Sequence, residues 1–105
     1  MAKSILELVR AAAAIRLLYL PHAVRQMSRP ERMISTTEIY RVVSTGQVIE
    51  NYPTDPRGQS CLLLGSGEGG RALHVVCAPR AEYLAIITAY LPDPGQWSAD
   101  FTRRL

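Results

Sequence analysis

Among its 105 residues the chain has one lysine, one tryptophan, one phenylalanine, two histidines and two cysteines. Each scarcity excludes something. Cys61 and Cys77 sit in separate apolar runs without the close spacing of a metal knuckle, so they read as reduced core residues of a cytoplasmic protein. The alternative, a cross-strand disulfide, needs an oxidising compartment. Two histidines with no linked carboxylate motif form no recognisable zinc site, and neither a metal nor a cofactor is expected. No stretch reaches the roughly 18–20 apolar residues that a membrane span requires. Glu7, Arg10 and Arg16 interrupt the opening MAKSILELVRAAAAIRLLYLP, which argues against both export and insertion. A dinucleotide fingerprint, a nucleophile elbow and a zinc-deaminase signature are also missing.

What is present is a chain 48% hydrophobic, enough for one core and too short for two, so residues 1–105 read as a single domain with 92–105 as a short packed or mobile tail. The net charge is +3, and eleven of the twelve basic residues are arginine. Residues 1–52 hold seven of them against four acids, whereas residues 53–105 hold five of each, so a polyanion-facing surface belongs mainly to the N-terminal half. Arginine suits bidentate phosphate contact. A compositional bias of the source genome accounts for it equally well.

Ser4 followed by Glu7 is a capping box for a helix over residues 4–14, with Ile5, Leu8, Val9 and Ala12 on one face. Residues 15–20, IRLLYL, fit a short strand or a continuation of that helix. Pro21 suits the first turn of a second helix running to about Ser28. Ser35 and Glu38 form a second capping box, and the spacing predicts a helix over 36–45 that leaves through a left-handed Gly46. Four strand-like runs follow, at 47–52, 60–65, 72–78 and 83–90, separated by turns too short for a crossover helix. The expected fold class is therefore α+β, with two or three N-terminal helices packed on a four-stranded antiparallel meander, and an optional extra strand at 15–20. GSGEGG lacks the lysine and hydroxyl pair of a phosphate-binding loop and reads as a hairpin tip. Trp97 and Phe101, four apart, are expected to pack a short final helix on the sheet edge.

In ALHVVCAP, alternation sends Leu73, Val75 and Cys77 toward the helices and His74 to the opposite, partly exposed face, where an acid or base meets substrate. A histidine that merely fixes local packing is the bland alternative. His22 opens the second helix, with Arg25 on the same side and Arg29 a turn further on; an ordinary solvated helix face explains these equally well. Two histidines, nearby arginines and Tyr90 suffice in principle for metal-independent RNA cleavage. A base takes the 2′-hydroxyl proton, arginine stabilises the phosphorane, and histidine or tyrosine protonates the leaving 5′-oxygen.

The succession of HA, ERMIS, a glycine-ended helix running into VIENYP, GRALHVV, IITAYLPDPGQW and a terminal RR resembles a small bacterial domain family of unknown function. That family is similar in fold to the RelE, ParE and BrnT toxins, and the resemblance spans nearly the whole chain. It places His22, Glu31, Arg32, Ser35, Gly46, Tyr52, His74, Thr88, Tyr90, Pro92 and Trp97 at motif positions. It implies a RelE-like fold and, if the kinship extends to activity, a messenger RNA substrate, often on the ribosome, with an antitoxin partner over the basic surface. On this reading His22 is base or phosphate orienter, His74 its acid partner and Tyr90 a positioning hydroxyl or stacking ring, while Arg25, Arg29, Arg32 and Arg71 contact backbone phosphates. The chain departs from the motif where HAxxRM is followed closely by ERGIS. Gln26 stands in place of arginine, MSRP adds about two residues, and Met33 replaces glycine. The competing expectation is a noncatalytic protein-interaction module that uses an exposed sheet edge or the Trp97 region. The oligomeric state stays open.

Overall fold

Ser4 and Ser35 each accept a hydrogen bond from the backbone of Glu7 and Glu38, whose carboxylates reach back to the serine's own N–H. These capping boxes start two of the three helices in the computed structural model, which describes residues 3–105. The helices are α1 (Ile5–Ile15), α2 (Pro21–Met27) and α3 (Thr36–Thr45). Between α1 and α2 lies β1 (Leu17–Tyr19); after α3 come β2 (Gln47–Tyr52), β3 (Ser60–Ser66), β4 (Ala72–Pro79) and β5 (Leu84–Tyr90). Pro21 occupies the first turn of α2, where its missing donor costs nothing.

Strands β2 to β5 form the expected antiparallel meander. The ambiguous stretch 15–20 resolves into the end of α1 and the strand β1, which pairs with β5 in parallel through Leu17↔Leu84 and Tyr19↔Ile86. The sheet is consequently mixed and open, in the order β1-β5-β4-β3-β2. Parallel pairing is possible here because the long chain between β1 and β5 supplies the crossover that a tight turn cannot.

One sheet face carries Cys61, Leu63, Leu73, Val75, Cys77, Leu84, Ile86 and Ala89 against Val9 and Ala12 of α1, Ala23 and Met27 of α2, and Ile39, Val42 and Val43 of α3. The predicted inward set on β4 is thus the inward set observed. Gly46 has φ −75° and ψ 176°, an extended conformation open to any residue, so the expected left-handed exit is corrected. Its glycine is required by proximity instead: a Cβ there would stand 2.6 Å from the Val42 carbonyl oxygen and 2.7 Å from that of Leu64.

Left-handed backbone occurs at Met33, with φ 43°. Glycine adopts that conformation without steric cost, whereas a side chain costs roughly 1–2 kcal/mol. The Met33 side chain is 65% exposed and contributes little packing. Met33→Gly is therefore expected to stabilise the fold by about 1 kcal/mol, part of the gain being returned as unfolded-chain entropy. An unchanged or lowered urea midpoint would contradict this.

After β5 the chain forms no helix. Trp97 bridges Arg104 in antiparallel fashion, the Ser98 N–H donates to the Arg103 carbonyl at 2.7 Å, and the Leu105 N–H donates to the Gln96 carbonyl at 3.0 Å. The Asp100 carboxylate collects Ser98 Oγ at 2.7 Å and Thr102 Oγ1 at 2.7 Å, which tightens the turn. The expected final helix is replaced by this small hairpin, because Asp100 and a left-handed Phe101, φ 62°, favour chain reversal. Among the described residues no helix is long and apolar enough to cross a membrane.

Candidate functional site

Strand register fixes His74 opposite Leu64 on one side and Tyr90 on the other. Its side chain leaves the sheet on the face away from the helices, as alternation requires. The expected exposure is corrected, however: His74 is fully buried, because the terminal hairpin folds over it. Its Nε2 lies 2.9 Å from the Phe101 carbonyl oxygen and its Nδ1 lies 3.1 Å from the Tyr90 hydroxyl. A carbonyl only accepts, so Nε2 carries the hydrogen; in the neutral ring Nδ1 then accepts from Tyr90. Burial pushes the imidazole below its ordinary pKa, against the opposing pull of the Phe101 carbonyl and Glu50. His74 is therefore neutral and spends both nitrogens inside the protein.

Trp97 meets the His74 ring edge-on at 4.4 Å between centroids. The Arg104 guanidinium lies over the Trp97 ring at 4.7 Å and donates to Glu50 through Nε at 2.8 Å and Nη2 at 3.1 Å. The Tyr52 hydroxyl donates to the same carboxylate. Burial and that carboxylate push the Tyr52 phenol up to about 12. Tyr52 thus helps to moor the tail to the sheet.

On the near side of Tyr90 the molecule opens. Because β1 ends at Tyr19, the last residues of β5 have no strand on the side away from β4, and α2 packs there instead. The result is a cleft of about 480 Å³ lined by His22, Gln26, Arg32, Thr88, Tyr90 and Trp97, with Asp93 and Gln96 at the turn beyond β5. Gln26 has a definite role: its Oε1 accepts from Arg32 Nη1 at 3.1 Å and aims that guanidinium. His22 is exposed, while Gln26, Arg32, Thr88 and Tyr90 are half-buried.

The fold thus brings His22, Arg32 and Tyr90 into one cleft and leaves His74 behind its wall. Arg25 stands exposed in the last turn of α2 outside the cleft, and Arg29 makes an exposed pair with Glu31 at 3.8 Å. Arg71, expected to contact phosphate, is committed elsewhere. It donates to both carboxylate oxygens of Glu38, through Nη2 at 2.8 Å and Nε at 2.9 Å, and to the Arg32 carbonyl at 2.8 Å. Arg71, with the N–H groups of Glu68 and Ser35, holds the Glu38 carboxyl well down, to about 2. In sequence Glu38 is only a cap residue, and nothing at that level marks it as the partner of Arg71. Gln26 is not among the candidate site residues at that level.

A cleft that holds an imidazole, an oriented guanidinium and a phenol can bind an anion, take up a proton and donate one. Among the described residues no group of three or more histidine, cysteine, aspartate or glutamate side chains stands close enough to hold a metal ion. Residues 19–91 match the model of a family described as Domain of unknown function (DUF4258). No curated protein and no solved structure matches the chain.

Proposed function

We propose, for a chain that belongs to the DUF4258 family, that the cleft between α2 and the end of β5 is an RNA site of toxin type, RelE-like in kind, acting on messenger RNA without a metal. The observation that carries this reading is the shared cleft of His22, Arg32 and Tyr90. His22 takes the 2′-hydroxyl proton as the 2′-oxygen attacks phosphorus, and Arg32 faces the charge on the phosphorane. The P–O5′ bond then breaks, and Tyr90 turns its hydroxyl from His74 Nδ1 to protonate the leaving oxygen, its own proton being replaced from solvent. His74, expected as the acid, becomes the residue that holds Tyr90 in place. Arg25 and Arg29 extend the basic surface along the RNA backbone, and Arg71 is left out because Glu38 holds it.

The test incubates the purified protein with free RNA and with translating ribosomes in EDTA. Fragments ending in a 2′,3′-cyclic phosphate and a 5′-hydroxyl are expected. Cleavage absent in both settings, together with no growth inhibition on expression, would reject the reading.

One observation favours a noncatalytic protein-interaction module, or an antitoxin-type partner for the same chain. The outer edge of β1 is unpaired, and beside it Tyr19, Val24, Met27 and Ile34 line a small apolar groove, with Val24 49% exposed. A stoichiometric protein partner recovered alongside failed cleavage would move the assignment to that module.

A further inference from the structure

Cys61 and Cys77 are register partners across β3 and β4. Their sulfurs lie 4.0 Å apart in a thiol–thiol contact, both residues fully buried on the helix-facing side. Paired residues on antiparallel strands hold their Cα atoms about 4.5–5.5 Å apart, inside the roughly 4.4–6.8 Å that a disulfide spans. Bonding therefore needs side-chain rotation and a small approach of the strands, with the register kept.

A second observation concerns access. A groove of about 520 Å³ runs between α1 and the β4–β5 turn and is lined by Ala12, Ile15, Gln59, Pro79 and Arg80. Pro79, the last residue of β4, lies two after Cys77 and by strand alternation shares its face, and Gln59 immediately precedes β3, two residues before Cys61. On β4 the groove ends one side-chain position from the Cys77 thiol. The cleft chemistry leaves this pair unused.

We propose that Cys61 and Cys77 are an oxidisable dithiol, converted within the folded protein by hydrogen peroxide entering from this groove into a cross-strand disulfide. Cys61 Sγ attacks one peroxide oxygen and the O–O bond breaks, releasing water and leaving a sulfenic acid on Cys61. Cys77 Sγ then attacks the Cys61 sulfur. The S–S bond forms, the S–O bond breaks, and a second water leaves with the Cys77 proton. The two thiols give up two electrons and two hydrogens, and one peroxide becomes two waters. The contact with Cys77 lowers the Cys61 pKa, whereas burial and the same contact raise that of Cys77, which orders the two steps.

The test treats the full chain with hydrogen peroxide under native conditions and reads intact mass, non-reducing peptide maps and thermal unfolding. The expected product lacks two hydrogens, carries a peptide linked through Cys61 and Cys77, and unfolds about 10 °C or more higher, reversibly with dithiothreitol. Cys61→Ser and Cys77→Ser should each abolish the two-hydrogen loss, and the wild-type map decides the matter if either variant folds poorly. Oxygen added to one cysteine, links between molecules, a link formed only in denaturant, or a link that lowers the unfolding temperature would each overturn the proposal.

Discussion

Replacing Glu38 with alanine is expected to remove about 3–5 kcal/mol of stability, the cost of breaking a buried ion pair by deleting one partner. That is a large share of the roughly 5–15 kcal/mol that holds a domain of this size folded. Glu38 is 1% exposed and joins three segments: its own N-cap, where the Ser35 N–H donates at 3.0 Å, the Glu68 N–H at 2.8 Å, and Arg71. Without it, partly buried donors from all three lose their acceptor together. Arg71, with a side chain 30% exposed, still finds water when Glu38 is removed, whereas Arg71→Met leaves the buried Glu38 carboxylate without its cation, so Arg71→Met should cost at least as much as Glu38→Ala. Gly67 belongs to the same construction, since a Cβ there would run into the Glu38 carboxylate and the Leu73 side chain.

The acid dependence follows in sign. In the folded protein the Glu38 carboxyl is held down to about 2, below its unfolded value, so its contribution is fully present above that unfolded value and is lost as pH falls through about 2. The amount is of order 3 kcal/mol. Urea unfolding of wild type and Glu38→Gln at neutral pH and near pH 3 should show the gap narrowing in acid. A Glu38→Ala variant within 1 kcal/mol of wild type would contradict the role given to this residue.

His22→Ala should lower RNA cleavage by about 10²–10⁴-fold, the usual contribution of one positioned base, while leaving the urea midpoint within about 0.5 kcal/mol because the side chain is exposed. Arg32→Ala should weaken RNA binding as well as turnover, since its guanidinium faces the cleft from its tether on Gln26. Changes at His74 separate from both. His74→Ala strands the Phe101 carbonyl and the Tyr90 hydroxyl and frees the terminal hairpin, so stability and activity should fall together. A His22→Ala variant with wild-type turnover removes His22 from the chemistry. A His74→Ala variant that keeps full stability denies the tail its anchor.

Local signals carried most of the fold. Serine and glutamate at capping spacing mark α1 and α3, and the change of period after Gly46 marks the meander, because both depend on neighbours along the chain. What escaped depends on distant partners. The strand β1 is three residues long and finds its mate only at Leu84–Ile86, so nothing near it distinguishes strand from helix. His74 sits on the sheet face that alternation assigns it, yet its burial is decided by a hairpin whose reversal rests on Asp100 and a left-handed Phe101. The meeting of His22 with Tyr90 follows from β1 stopping short and α2 filling the space beside β5, and residue spacing carries no trace of that.

The most direct test is where RNA lands. A short single-stranded RNA titrated into isotopically labelled protein in EDTA, followed by backbone, histidine and arginine side-chain NMR, should shift His22, Gln26, Arg32, Thr88 and Tyr90. Arg71 and the Cys61–Cys77 region should stay unmoved. Shifts absent from the cleft, or gathered on the β2 edge instead, would contradict the proposed site.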